Sequence, residues 1–335
     1  MKRAVWIILS AVLLLAVIAI LVIGWCGGAP GKGRECLFTV ERGWGARRIS
    51  EALADSGMVR CPLYFLWKYS PLQDSLPLQA GVYLLDDGMG PESIMVTIAR
   101  GEVVPVPTHW VTLTPGLTLD QSIAEIAGSL DRSKELLDSL AADRSLLDSL
   151  GVPYLEGHLF PETYEFADSL RPVDILCRIV ETGRESLPPD WEMKADSLGL
   201  DPEEIFILAS IVEREGKVDA ERPLIAGVFL SRLRRGMRLE SCATVQYALG
   251  EVREVLLYSD LEIDSPYNTY LAAGLPPGPI CSPGLPSIEA ALTPDTAAGY
   301  LYFVSTGDGS GRHLFACSYA GHLANRRLVS DGTVD

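Results

Sequence analysis

The chain opens with a single unbroken hydrophobic block. From Ala4 to Trp25 (AVWIILSAVLLLAVIAILVIGW) no residue is charged, and the run exceeds the ~18 apolar residues that mark a bilayer-spanning helix. It predicts a single-pass anchor with a cytoplasmic tip over residues 1–26. A cleaved signal peptide has a core of only ~7–15 residues, and no A-x-A site follows here. Lys2 and Arg3 precede the block, while Lys32 and Arg34 come after a Gly/Pro spacer and beside Glu35. The positive-inside rule then puts the tip in the cytoplasm and the body outside the inner membrane. Gly27 to Gly33 (GGAPGKG) reads as flexible, giving a linker over 27–35.

Beyond the linker the hydrophobic period alternates between two and 3.6. Leu37–Val40 predicts a strand, Ala46–Asp55 and Leu63–Tyr69 predict helices, and Gly81–Leu85 predicts a returning strand. A looser copy follows as a helix over Pro91–Ala99 and a strand over Val103–Val106. A third pairs a strand at His109–Leu113 with a helix at Thr118–Leu130. Such small strand-and-helix units resemble the LysM fold, a glycan-binding module, here over residues 36–106; a docking platform without ligand is the alternative. Leu136–Leu150 carries two LLDSL segments with an acidic far side, which predicts a solvated helix pair. From Val152 onward aromatic, Pro and Gly residues become dense, and the chemistry is expected there, within a mixed domain over 107–335. The fold class that results is α+β.

Composition removes several functions. A formal charge of −16 argues against nucleic acid, which needs a basic surface that releases counterions, and disfavours an unassisted grip on anionic lipid. Seven cysteines include no CxxC pair and no His spacing that suits zinc, so neither metal nor cofactor is expected. Cys36 and Cys61 flank the small unit and could pair in an oxidising compartment, with buried free thiols the alternative. Cys26 follows Ile23-Gly24-Trp25, too bulky for a lipidation box.

The clearest candidate chemistry lies in Pro202–Lys217 (PEEIFILASIVEREGK). Asp201 at the N-cap, Pro202 at the first helical position and Glu203 and Glu204 in the first turn predict a helix start. At ~100° per residue, Ile205, Leu208, Ala209 and Val212 form the apolar stripe, and Glu213 and Glu215 fall on its opposite flanks. Glu215 follows Leu208 and Ile211 along an apolar column, whereas Glu213 follows Ala209 and Ser210. Desolvation raises a carboxyl pKa, as a general acid requires, so the spacing favours Glu215. It leaves open that both glutamates are ordinary flank residues.

Four blocks then carry a resemblance: LEGHLFPETYEF, LASIVEREGKVDAERPLIAGVFLSRLRRGMRLESCATVQYALG, DSPYNTYLAAGLPPGPICSPGLPSIEAAL and YLYFVSTGDGSGRHLFACSYAGH. In this order they resemble the endolytic murein transglycosylase family, the MltG or YceG-like group, from Cys36 to about Arg327. The IVExE match implies Glu215 as the catalytic acid and then base, with Glu213 supporting it by hydrogen bonding. The implied reaction cuts the bond following N-acetylmuramic acid without water. The sugar's own C6 hydroxyl attacks to close a 1,6-anhydro ring, so no second carboxylate is needed. Strand-length control and contact with cell-wall synthesis proteins are implied by resemblance alone.

Other residues are weighed against this centre. Tyr267, Asn268 and Tyr270, on a proline-shaped loop, suit sugar binding, since aromatic faces cover pyranose rings and amides satisfy hydroxyls. Glu162 and Tyr164 are candidates for lining the cleft, or for packing. Glu240 and Thr244 are expected at its floor, although Ser-Cys-Ala stands where many relatives carry Ser-Asp-Pro. Arg232, Arg234, Arg235 and Arg238 read as a solvated basic patch, with attraction to peptide carboxylates the lesser alternative. His313 and His322 read as structural or surface residues. Two rival functions remain: a hydrolytic muramidase using Glu162, Glu240 or Asp264 as second carboxylate, and a non-enzymatic wall-binding scaffold.

Overall fold

In the computed structural model, residues 2–105, 107–253 and 256–332 are described, with the side chains of α1 described at Ser10 and from Val12 on. The chain divides into two compact units, Met1–Pro107 and Thr108–Asp335. The first holds α1 (Lys2–Gly27), β1 (Glu35–Val40), α2 (Ala46–Asp55), α3 (Pro62–Tyr69), β2 (Gly81–Asp86) and α4 (Pro91–Arg100). β1 and β2 pair antiparallel with Phe38 opposite Tyr83. Alternation turns Phe38, Val40, Tyr83 and Leu85 inward, where they meet Ile49 and Leu53 of α2, Phe65 of α3 and Ile94 and Ile98 of α4.

Three expectations for this unit change, and the membrane-spanning one is not supported by it. Among the described residues no helix is long and apolar enough to cross a membrane; for α1 the described side chains begin at Ser10, whereas the apolar run begins at Ala4. The spacer read as flexible is fastened: Asp87 Oδ1 accepts from the amides of Gly33 and Arg34, both at 2.8 Å, and its carbonyl accepts from Gly31 at 2.7 Å. Those amides hold the Asp87 carboxyl below its usual range. Cys61 pairs with Cys26, not Cys36, joining the end of α1 to the start of α3. Arg60 strengthens the same junction, donating to the Trp25 carbonyl at 3.1 Å and lying over its ring. Finally, residues 103–105 form no strand; Val104 donates one bond to Val82, and Pro105 and Pro107 lack the amides to extend the ladder. Val106 lies outside the described residues.

The second unit begins with β3 (Thr108–Thr112), α5 (Leu119–Leu130), α6 (Lys134–Ala141), α7 (Arg144–Leu150), β4 (Thr163–Ala167) and α8 (Pro172–Ser186). β3 is no third copy of the small unit, because it pairs antiparallel with β4, Val111 opposite Tyr164. The two LLDSL helices do carry a buried side, Leu137 on α6 and Leu146, Leu147 and Leu150 on α7, against Ile123, Ile126, Ile175 and Ile179. Next come α9 (Trp191–Leu198), α10 (Pro202–Glu215), α11 (Arg222–Arg234), α12 (Cys242–Leu249), α13 (Leu285–Leu292), β5 (Tyr302–Ser305), β6 (His313–Ala316) and α14 (Tyr319–Ser330). Their core centres on α10: Ile205, Leu208, Ala209 and Val212 are sealed by Ile225, Ala226 and Phe229 of α11 and Ile288 and Leu292 of α13.

α11 lies against backbone at Gly227, where an added Cβ would come 1.9 Å from the Asp295 carbonyl oxygen. Because that neighbour is main chain, Gly227→Ala should cost about 3 kcal/mol and lower the melting temperature by roughly 5–10 °C; an unchanged transition by calorimetry would contradict this packing. Peptide mapping of the non-reduced protein should recover Cys26 and Cys61 as one linked species and Cys36 as an alkylated thiol. A Cys36–Cys61 peptide would refute the assignment.

Candidate active site

α10 is set by its ends. The Asp201 amide donates to Glu204 Oε2 at 2.8 Å across the first turn, half of a reciprocal cap. At the other end Glu215 is the last helical residue, and Gly216 leaves the helix in an extended conformation. A carboxylate there faces the negative end of the helix dipole, which disfavours its charge.

α12 receives the same carboxyl at its positive end. Ser241 occupies the N-cap position, yet its hydroxyl makes no bond to its own helix. Instead Ser241 Oγ donates to Glu215 Oε1 at 2.5 Å, and the Ala243 amide, in the first turn of α12, lowers the pKa of the same carboxyl. Glu215 thus takes the part an N-cap side chain normally plays. Burial pushes its pKa above the ordinary carboxylate value, while the Ser241 hydrogen bond, the charges of His313 and Arg214 and the Ala243 amide pull the other way. Burial prevails, so the group holds its proton to higher pH than a free glutamate.

The turn carrying Ser241 is clamped from behind. Thr269 Oγ1 accepts from the Ser241 amide at 3.0 Å and bonds Thr244 Oγ1 at 2.9 Å; Thr244 Oγ1 in turn donates to the Ser241 carbonyl at 2.8 Å. Glu240 adopts a left-handed φ of 52°, a costly backbone state for a side-chain residue, and its amide donates to the Thr269 carbonyl. Asn268 is fully buried: its amide group donates to the Leu261 and Ile263 carbonyls, and its oxygen accepts from the Tyr270 amide.

Glu215 opens into a cleft of about 460 Å³ whose walls include Glu240, Tyr270, Arg232, Tyr302 and His313. Arg232 is buried, donating from Nε to the Leu301 carbonyl at 2.7 Å and from Nη1 to the Arg238 and Leu239 carbonyls and Glu240 Oε2, each at 3.0 Å. His313 Nδ1 lies 2.8 Å from Glu221 Oε2, which fixes the ring. The Tyr270 hydroxyl sits 3.2 Å from Cys242 Sγ, and burial raises both groups' pKa values.

Of the residues expected at the site, Glu215, Glu240 and Tyr270 meet in this cleft. Thr244 and Asn268 stand behind it, with their polar atoms committed to backbone or Thr269. Tyr267 packs on Tyr247, 4.8 Å between centroids, and is not among the lining residues. Tyr164 is buried and donates to the Phe160 carbonyl at 2.7 Å, and Glu162 is exposed and accepts from the Thr163 amide. Glu213 is a hydrogen-bonding residue of the opposite flank: Oε2 accepts from the Gly284 amide and Ser287 Oγ, both at 2.9 Å, and Oε1 lies 3.3 Å from Arg222. It locks α13 onto α10. The arginines form no single patch, since Arg232 is interior and Arg238 donates to the Tyr270 carbonyl.

Sequence reasoning passed over Ser241, read His313 as structural or surface, and read Arg232 as solvated with attraction to peptide carboxylates the lesser alternative; all three lie inside quoted blocks, but only the tertiary pairing reveals their work. It also passed over Glu156, whose carboxyl is pushed up to about 7 by burial against the opposing amide of Leu119 and hydroxyl of Tyr247. Glu156 joins the start of α5 to α12 through those groups, at 2.9 and 3.0 Å, and lines a second cleft of about 400 Å³ with Arg214 and Ala243. Among the described residues no group of three or more His, Cys, Asp or Glu is placed to hold a metal ion.

Known proteins resemble this chain in sequence and fold. The model of the YceG-like family matches residues 38–328. The endolytic murein transglycosylase of Bacillus subtilis (strain 168) is 32% identical over 314 residues, covering 84% of this chain and 85% of the relative. The protein of the same name from Streptococcus pneumoniae serotype 2 is 32% identical over 297 residues, covering 79% of this chain; the match spans 53% of that longer relative. A crystal structure of a yceG-like protein from Listeria monocytogenes superposes with a TM-score of 0.59 at 29% identity, covering 88% of this chain and 99% of the other. With a match to nearly the whole chain and a solved fold that follows it, the chain belongs to the YceG-like family.

Proposed function

We propose that this protein is a lytic transglycosylase that cuts peptidoglycan strands internally, at the bond following N-acetylmuramic acid, with Glu215 as acid and then base. The names of the Bacillus and Streptococcus relatives support the reaction class. The observation that carries the reading is the setting of Glu215: a carboxyl whose pKa burial raises, yet met by Ser241 and Ala243 groups that favour its ionised form. In the first step the Glu215 proton passes to the glycosidic oxygen as the bond from C1 breaks. In the second, the Glu215 carboxylate takes the proton of the C6 hydroxyl while that oxygen attacks C1. The products are a 1,6-anhydro end and a free hydroxyl, and Glu215 regains its proton, so no water is consumed. Hydrolysis would need a second carboxylate. Glu162 and Asp264 are not among the cleft-lining residues, and Glu240 lines it already bound to Arg232, which favours the one-carboxylate route.

The same reading places the protein at the inner membrane with its catalytic unit outside. Supporting it are the uncharged run Ala4–Trp25 and the exposure of its described aliphatic side chains, among them Leu13, Leu15, Ile20 and Leu21, which a helix in water would not sustain. The Cys26–Cys61 bond suits an oxidising compartment. Anchorage would keep the enzyme beside nascent strands and the proteins that synthesise them, limiting strand length. The β1-α2-α3-β2 order supports a LysM-like, glycan-binding role for the first unit.

Digestion of purified sacculi with muropeptide analysis tests the reaction. The parent should yield anhydro ends, and Glu215→Gln should lower their rate at least ~100-fold; reducing ends from the parent, or full activity in the variant, overturn the reading. A general acid works only while protonated, so the rate should fall as pH rises through the raised Glu215 pKa. Ser241→Ala removes a bond that favours the ionised form, which raises that pKa further. The variant should therefore be slower, with its alkaline limb moved to higher pH; a slower variant with an unmoved limb would mean that Ser241 does not act on the Glu215 proton.

A further inference from the structure

The far wall of the catalytic cleft holds charge and rings that the acid–base steps do not use. Arg326 on α14 lines it and is exposed. The chain has 44 acidic residues against 28 basic ones, and the other cleft arginine, Arg232, is matched by Glu240. Among the described residues no carboxylate forms an ion pair with Arg326. One helical turn earlier, on the same face of α14, stands His322. Its Nδ1 is buried without a hydrogen-bond partner among the described residues. Burial, with Arg326 and Arg232 nearby and Glu240 opposing, lowers the His322 pKa, which favours the neutral ring, a hydrogen-bonding group rather than a charge. The His322 ring stacks on Tyr302, 5.4 Å between centroids and 26° between planes, and Tyr319 lies 6.0 Å from Tyr302.

We infer that Arg326, His322 and the Tyr302–Tyr319 rings form a subsite for a carboxylate carried by the muramic acid of the bound strand, which makes the enzyme select charged glycan. The inference rests on the glycan-cleaving reading for its ligand class and adds the group that is recognised. The chemistry fits part by part. A guanidinium binds a carboxylate by paired, charge-assisted hydrogen bonds, ring faces cover the apolar side of a sugar, and a neutral imidazole satisfies an amide or hydroxyl beside them. The carboxylate has two sources, the peptide stem or the lactyl group once the stem is removed.

Binding separates them. Full chain carrying Glu215→Gln, so that strands are held without being cut, is titrated with three preparations: strands with intact stems, amidase-stripped strands that keep the lactyl carboxylate, and strands whose carboxyls are converted to neutral amides. Adding Arg326→Gln should weaken binding roughly tenfold, the scale of one charge-assisted contact, on stem-bearing strands, stripped strands or both. Which of them responds names the source. Arg326→Lys should recover part of the loss, and the amidated strands should bind parent and variant alike. Equal binding of Arg326→Gln to all three preparations, or an equal loss on the amidated strands, overturns the subsite. Anhydro-end release by protein with Glu215 intact is scored separately. Its presence beside an Arg326 variant that binds normally removes the subsite alone; its absence beside an Arg326-dependent grip removes the reaction alone.

Discussion

One carboxyl held between two helix ends governs this molecule. Glu215 closes α10, where the backbone repels its negative charge, and caps α12, where the backbone welcomes it. Neither protonation state is fully at ease, and the acid–base role proposed for Glu215 needs that balance. Burial tips the resting state toward the acid, and the Ser241 hydroxyl and Ala243 amide wait for the base.

Much of the second unit serves to keep those two helix ends apart by the right amount. Glu213, two residues before Glu215 but on the other flank, ties α10 to α13. Arg232 gathers the carbonyls of Arg238, Leu239 and Leu301 and the Glu240 carboxylate, binding the turn before α12 to the segment that leads into β5. Thr244, Thr269 and Asn268 form a hydroxyl and amide lattice beneath Ser241. Buried polar networks of this kind are useful only when each member is satisfied, and these are.

What was legible in the sequence follows from how local its cause is. α10 was readable because its cap, its proline and its apolar stripe all lie within fourteen residues, and the flank difference between Glu213 and Glu215 is a matter of helical period alone. Tyr270 and Glu240 were readable as cleft residues, but Asn268 and Thr244 were not separable from them, since a polar side chain aimed at a sugar and one aimed at a carbonyl look alike in one dimension. Arg232 looked solvated because its neighbours Arg234 and Arg235 are; its acceptors sit 7 and 69 residues away. The Cys26–Cys61 pair escaped for a related reason, as the hydrophobic block and the small unit were read separately. The spacer between them looked loose because nothing in Gly27–Gly33 announces Asp87.

That last pair of features has a mechanical meaning. Because Cys26 and Asp87 both bridge the glycine-rich spacer, a pull on α1 does not stretch a slack tether before it reaches the folded body. It is delivered at once to α3 and to the edge of β2, as through a bolt. Reduction of that one sulfur bridge would leave, among the described residues, the Asp87 and Arg60 hydrogen bonds and the Arg60–Trp25 ring contact to reinforce the backbone across this junction.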